Sequence, residues 1–498
     1  MATRRAILPD LAGIWGVVIF LTLTAIAGSK SLKDGDTLWH IKMGQVMLER
    51  GEVLKHDLFS HTAFGQPWHA HEWLSEIVMA GLHGWAGLPG VTIFFFAVVG
   101  LTFTLMFKVA SHIAGEVPST LAMAFATICI YFHLLARPHI FTWLGVALTL
   151  YLLERGGRWP WLLLPVTVLW INLHGGVLFG LAIQLIFIAG KLLDHVQSTS
   201  ALCLRSWWNT SKAALLLLAL CIAATCLNPF GYQILLYPLM VAAPVYTQAI
   251  VEWQSPDFQQ EWFARIWVVA LMFLTIWIGR KLSWRWLLLL LFLLWQTLGH
   301  VRHLSMAALL LIPCFALLFK DLGSRLNFQR RTNPERLELA LSPWSGPLAI
   351  VFFALVFIGA AGTNALSIGN IVREMYQPPK DYAPVMTFLR EGHPSGNLLN
   401  EYEWGDYLLY GLDRPPRVFI DGRADMYGPE IFTDYRKIIG LEKETEELLD
   451  KYEIEWVLFP KDHQLVRYLR DCKSWRSLFD DQKVEILIRQ EAAASKPN

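Results

Sequence analysis

The stretch Asp34-Gly-Asp36-Thr-Leu-Trp39-His40 sets two carboxylates two residues apart, just ahead of an imidazole. Such a pair can act as a general base or hold a divalent cation such as Mg or Mn. The competing reading is a helix N-cap, because Asp36 precedes an amphipathic run and Asp is a favoured capping residue. Further on, Trp68-His69-Ala-His71-Glu72-Trp73 gathers two imidazoles and a carboxylate within four residues. These are ligand types, although the pattern fixes no geometry and suits aromatic surface anchoring equally well. Arg137-Pro-His139, Trp170-Ile-Asn172-Leu-His174-Gly-Gly176, Asn228-Pro-Phe-Gly231 and Arg302-His303 stand at the ends of apolar runs. Arginine grips a phosphate with two parallel hydrogen bonds, and Gly175-Gly176 lets a bulky group approach the backbone. Singly, each cluster reads as a snorkelling cation or a helix-breaking turn. Together they point to a site for a lipid phosphate.

Towards the C-terminus, Tyr402-Glu403-Trp404-Gly405-Asp406-Tyr407 and Phe419-Ile420-Asp421-Gly422-Arg423 are dense in aromatic and charged residues. Trp404 and Tyr407 beside carboxylates suit carbohydrate stacking. The favoured alternative is a core strand ending in a tight turn closed by an Asp421–Arg423 pair.

The elements that must position these residues follow from composition. The 498 residues are 54% hydrophobic and only 17% charged, with a mean hydropathy of +0.40. A soluble domain carries about 25% charged residues, so the chain reads as a polytopic α-helical membrane protein in contact with the lipid bilayer. A net charge of +1 offers no field for nucleic acid. Six cysteines without CxxC spacing give neither a disulfide framework nor a zinc site. No dinucleotide or P-loop fingerprint, HExxH or EF-hand loop is present.

Apolar stretches near bilayer-crossing length recur at 11–28, 89–112, 118–135, 139–154, 160–173, 176–193, 213–227, 264–279, 286–300, 304–319 and 346–363, predicting about 11 transmembrane helices. The first is expected to be a retained span rather than a removable signal peptide. Lys and Arg bias places the N-terminus in the cytoplasm. Of 15 histidines, only His112 and His195 then fall on the inner side, which argues for one polar site at the outer boundary. A membrane domain, 1–375, has outer loops at 29–88 and 228–263; the second contains Glu252, Trp253 and Asp257. Thr37–Glu49 and Glu72–Trp85 have the spacing of amphipathic surface helices. The basic stretch 320–345 reads as a tether. Charge density rises beyond Tyr376-Gln-Pro-Pro-Lys380, so 376–498 is expected to be a small soluble α/β domain outside the cytoplasm. Within it, Glu442–Tyr452 and His463–Cys472 read as helices, Glu455–Phe459 as a strand, and Asp480-Asp481 as a hairpin turn.

These residues and motifs together resemble the bacterial integral-membrane glycosyltransferase-like proteins of the GT-C superfamily, related to protein O-mannosyltransferases, aminoarabinose transferases and oligosaccharyltransferases. The Asp-Gly-Asp-Thr-Leu-Trp-His stretch stands where that superfamily places its essential acidic pair, early in a long first outer loop with two surface helices. Gly65-Gln-Pro-Trp68 through Glu72-Trp73 resembles the segment that follows. The RPH, NLHGG, NPFG, GDYL and FIDGR stretches resemble a large bacterial subgroup. The family's usual pair is Asp-Glu, whereas position 37 here is Thr and the second acid is Asp34.

The resemblance implies glycosyl transfer from a polyprenyl-phosphate sugar lipid to a glycan, lipid or protein acceptor, in a bacterial-type plasma membrane. Asp36 would act on the acceptor hydroxyl, alone or through a metal shared with Asp34. His40, His69, His71 and Glu72 would line the pocket, and Arg137, His139, Asn172, His174, Arg302 and His303 would bind the donor. A non-catalytic glycan-binding or assembly protein, and a surface-polysaccharide ligase or polymerase, are the alternatives.

Overall fold

In a bilayer every backbone amide must be satisfied within its own segment, and apolar runs meet that demand by coiling. Each apolar stretch read above carries a helix in the computed structural model, which describes residues 9–32, 34–130, 133–199, 204–241, 244–247, 249–326, 343–362 and 383–490. Four helices are long and apolar enough to cross a membrane: Trp73–Ala114, Val177–Ser198, Trp262–Lys281 and Ser345–Gly362. The pair His303–Leu310 and Ile312–Arg325, bent by 50°, makes a fifth if counted as one span. The remaining stretches form the shorter helices Leu11–Ile26, Glu116–Ile130, His139–Arg155, Trp159–Leu173, Ser211–Ala224 and Trp284–Gly299. Length and composition thus single out four or five spans among the described residues, where about 11 were expected. Residues 327–342 of the expected tether, and the boundary at Tyr376–Lys380, lie outside the described residues.

The chain divides into two compact units. The first comprises Met1–Gly28, Ala86–Leu236 and Gln248–Arg373. Its helices cross where side chains vanish: a Cβ on Gly13 would lie 2.7 Å from Gly346 Cα, and one on Gly16 2.7 Å from the Gly100 carbonyl. Small residues let helices approach in this way within lipid. The indole of Trp170 fills the gap between Gly145 and Gly180. Side chains such as Ile128, Val269, Ile276 and Trp295 remain exposed on helix surfaces, as a lipid-facing surface requires.

The second unit comprises Ser29–Trp85, Tyr237–Thr247 and Glu374–Asn498. Its core is a four-stranded sheet in the order β1-β2-β4-β3, with β1 Asn397–Asn400, β2 Ile454–Pro460, β3 Trp475–Asp480 and β4 Val484–Arg489. β1 pairs with β2 in parallel, and the other pairings are antiparallel. Asp481 Oδ1 accepts from the Lys483 and Val484 amides and closes the β3–β4 turn. Helices Thr445–Lys451 and Gln464–Asp471 lie where the periodicity placed them.

The first loop is part of this unit. The Ser60 region bridges Val418 in parallel, the His61 amide donating to the Val418 carbonyl at 3.0 Å. The Arg417–Ile420 run is therefore no core strand; it makes a single bridge to the loop. Two helices build the loop, Asp36–Arg50 and the start of Trp73–Ala114, the latter interrupted at Gly87 with φ 64°. They meet closely because Gly44 lacks a side chain where the Glu76 carbonyl approaches.

Candidate functional site

Two clusters of chemistry-bearing residues form, one within each unit. In the second unit, Asp36 is the first residue of its helix; the N-cap is Gly35, which makes no side-chain cap bond. Asp34 Oδ1 accepts from the Asp36 amide at 2.8 Å, so Asp34, not Asp36, serves the helix start. The Asp36 carboxylate is turned instead towards Gly422. A Cβ on Gly422 would lie 2.5 Å from Asp36 Oδ1, 2.9 Å from Trp39 Nε1 and 3.0 Å from Asp406 Oδ2. The Gly422 amide donates to Asp406 Oδ1 at 2.9 Å, and its carbonyl accepts from Tyr402 Oη at 3.3 Å. Asp36, Asp406, Asp421 and Asp425 all act on the half-buried Tyr402 phenol, which desolvation first pushes well above its usual range. Burial and then the charge of Asp421 push Asp406 up as well. Trp39 Nε1 is buried without a hydrogen-bond partner. The two sequence motifs, DGDTLWH and FIDGR, thus form one acidic site with the Asp406 of GDYL.

One turn along the helix, His40 is buried between two carboxyl groups. Its Nε2 lies 3.3 Å from Glu72 Oε2 and its Nδ1 3.2 Å from Glu76 Oε1. Burial, then the charge of Asp425, raise Glu72 to about 8, so near neutral pH its carboxylic acid can donate to Nε2. That tautomer leaves Nδ1–H to donate to Glu76. His71 Nε2 lies 3.8 Å from Glu72, its ring 4.1 Å from Tyr237, and burial lowers its pKa. The His69 carbonyl accepts from the His71 amide.

Arg423 closes the unit. Its Nη2 lies 2.6 Å from Asp421 and 2.9 Å from Asp57, all three side chains buried. Tyr427 donates to Asp421 Oδ2 at 2.7 Å, and the Ser60 amide and hydroxyl donate to Asp57. The Asp–Arg turn expected from FIDGR is present, extended by Asp57. Trp404 and Tyr407 are buried.

The second cluster, in the first unit, gathers the ends of several helices. Arg137 Nη1 lies 3.4 Å from both Glu252 oxygens. The Arg302 guanidinium lies over Trp253 at 4.6 Å, and its amide donates to the Glu252 carbonyl at 3.3 Å. His139 packs on His133 at 4.7 Å, and His303 on His300 at 5.2 Å. Burial works to raise Glu252, but the charges of Arg137, His133 and Arg302 outweigh it and hold the carboxyl below its ordinary value. His174 Nδ1 lies 2.8 Å from Thr142 Oγ1 and accepts from the Gly176 amide at 2.8 Å. A Cβ at Gly176 would strike Thr142, so this glycine serves close packing. Asn172 donates to the Val168 and Leu227 carbonyls and braces two segments.

Asp34 and Asp36 do not extend into a larger ligand group. Among the described residues no group of three or more His, Cys, Asp or Glu side chains is arranged to hold a metal ion, and the Asp34 carboxylate accepts a backbone amide. Sequence reading did not single out Asp57, Glu76, His133 or the pairing of Glu252. Glu76 carried a signal, since it stands four residues after Glu72 on one helix face; His133 lay inside an apparent span.

No family model matches the chain, and no curated relative does. Solved structures share its fold. An oligosaccharyltransferase of Archaeoglobus fulgidus in the apo form matches with a TM-score of 0.53 at 12% identity, over 90% of this chain and 69% of that one. The Archaeoglobus fulgidus oligosaccharyltransferase AglB, in complex with an inhibitory peptide and a dolichol-phosphate, matches with 0.55 at 12% identity, over 92% and 70%. ArnT from Cupriavidus metallidurans, bound to undecaprenyl phosphate, matches with 0.50 at 12% identity, over 98% and 100%. The chain therefore shares its fold with these oligosaccharyltransferase and ArnT structures: a mostly helical chain with four or five apolar spans among the described residues and a small C-terminal sheet.

Proposed function

We propose that this protein transfers a glycosyl group from a polyprenyl-phosphate-linked donor to an acceptor at the outer face of a bacterial-type plasma membrane. The observation that carries the reading is the carboxylate of Asp36, set beside Gly422 with Asp406 and the Trp39 indole, on a helix whose first amide is accepted by Asp34. The shared fold supports it, since two of the similar structures hold a polyprenyl-type phosphate.

In the reaction Asp36 takes the proton of the acceptor hydroxyl while that oxygen bonds to the anomeric carbon. The bond from that carbon to the phosphate oxygen breaks, and its electron pair stays on the phosphate. Arg137, His174 and Arg302 answer the charge that develops there, with His139, His303 and Asn172 shaping the donor site. His40, His69, His71 and Glu72 shape the acceptor side. No step is routed through a metal. About 11 membrane crossings, a cytoplasmic N-terminus and an extracytoplasmic domain over 376–498 complete the reading.

Native mass spectrometry of protein purified in mild detergent tests it. A co-purified polyprenyl phosphate, lost in the Arg137→Ala/Arg302→Ala double variant, is the expected result. Wild-type protein free of such lipid would instead favour a glycan-binding or assembly role.

A further inference from the structure

Arg137 pairs with Glu252, and the charge of Arg302 also bears on that carboxylate. The contact is loose: both Arg137–Glu252 distances are 3.4 Å, whereas a well-made guanidinium–carboxylate fork measures about 2.7–2.9 Å. The backbone around Glu252 is firmly tied. Val301 donates to the Gln254 carbonyl at 2.9 Å, and His300 Nδ1 lies 2.6 Å from the Trp253 carbonyl. The Glu252 side chain is 33% exposed, against 13% for Arg137.

Arg302 lies beside the same segment, its guanidinium over Trp253. The imidazoles of His133, His139 and His303 add polar atoms around it, and His303 Nδ1 is buried without a hydrogen-bond partner. A carboxylate oxygen and a phosphate oxygen ask the same donors for the same bonds.

We propose that Glu252 is a stand-in anion, occupying Arg137 until a phosphate monoester displaces it. This rests on the phosphate-binding reading given above. It assigns Glu252 a role opposite in sign to that of Arg137: it weakens phosphate binding by competing for the same guanidinium.

The test is binding of a short-chain isoprenyl monophosphate, and of inorganic phosphate, to the full-length protein in detergent. Wild type, Glu252→Gln and Arg137→Ala are compared. Removing a close competing charge is worth at least about tenfold in affinity, so Glu252→Gln should bind the isoprenyl phosphate about tenfold more tightly and Arg137→Ala more weakly. A gain for inorganic phosphate as well would make the anion itself the ligand; a gain confined to the isoprenyl compound would make the lipid its source. Both support the proposal. Unchanged or weaker binding by Glu252→Gln, with binding lost in Arg137→Ala, overturns the role of Glu252 alone. Equal binding by wild type and Arg137→Ala removes the phosphate site, and the proposal with it. A thermal readout separates displacement from mere folding support. Ligand-free Glu252→Gln should melt lower than wild type and gain more on adding phosphate, whereas a purely structural glutamate would leave that gain unchanged.

Discussion

The guanidinium of Arg423 lies 2.9 Å from the carboxylate of Asp57, so a residue of the first loop and one of the C-terminal chain share one buried charge. Asp421 is the third member, 2.6 Å from the same nitrogen. Ser60 and Tyr427 donate further hydrogen bonds to the two acids, which buried charges need beyond their mutual attraction. Replacing Arg423 by Met leaves two carboxylates buried without a cation and should cost about 3–5 kcal/mol. Chaotrope unfolding in detergent measures this; a midpoint equal to wild type would contradict the assignment.

Gly422 offers a sterically sharper test. Any side chain there meets Asp36, Trp39 and Asp406 within 3.0 Å, and an overpacked core loses about 1–3 kcal/mol. Gly422→Ala should therefore lower both the melting temperature and transfer activity. A fully active, equally stable variant would show that these three groups do not depend on the close approach.

Asp34 and Asp36 should separate cleanly. Asp34 accepts the first helical amide, so Asp34→Ala should cost about 1 kcal/mol of stability and leave transfer from a labelled lipid-linked sugar measurable. Asp36→Asn should keep the fold and abolish that transfer. The reverse pattern would assign the base to Asp34.

Stability should depend on pH through Glu72. Its folded pKa of about 8 stands above the ordinary 4.5, so between those values the unfolded chain has released a proton that the folded one retains. The associated stability is complete below about 4.5, declines as pH rises, and is gone above about 8. Melting temperatures of wild type should fall across this range more steeply than those of Glu72→Gln. Parallel curves would mean that Glu72 ionises normally.

The helices were legible in the sequence because each apolar run writes its own secondary structure, and so were β2 and the Asp480-Asp481 hairpin. The Asp421–Arg423 turn was legible too, since its partners are two residues apart. Asp57 was not: its partner lies far along the chain, and no local pattern records such a meeting. Asp36 was found by residue type, yet the choice of Asp34 as the acceptor of the first helical amide depends on backbone geometry. The convergence of Arg137, Arg302 and His133 likewise arises from helix packing, which spacing within one run cannot express.

The bridge between Ser60 and Val418 also sets an order of events during synthesis. The first loop leaves the ribosome early, while its bridge partner Val418 follows on the order of tens of seconds later. Throughout that interval Asp57 has no Arg423, and the acidic end of the Asp36–Arg50 helix has no Gly422 to pack against. A chain cut short before Val418 would keep its apolar helices but leave the acidic loop without the residues that complete it. Assembly of this site therefore waits until translation has passed Arg423.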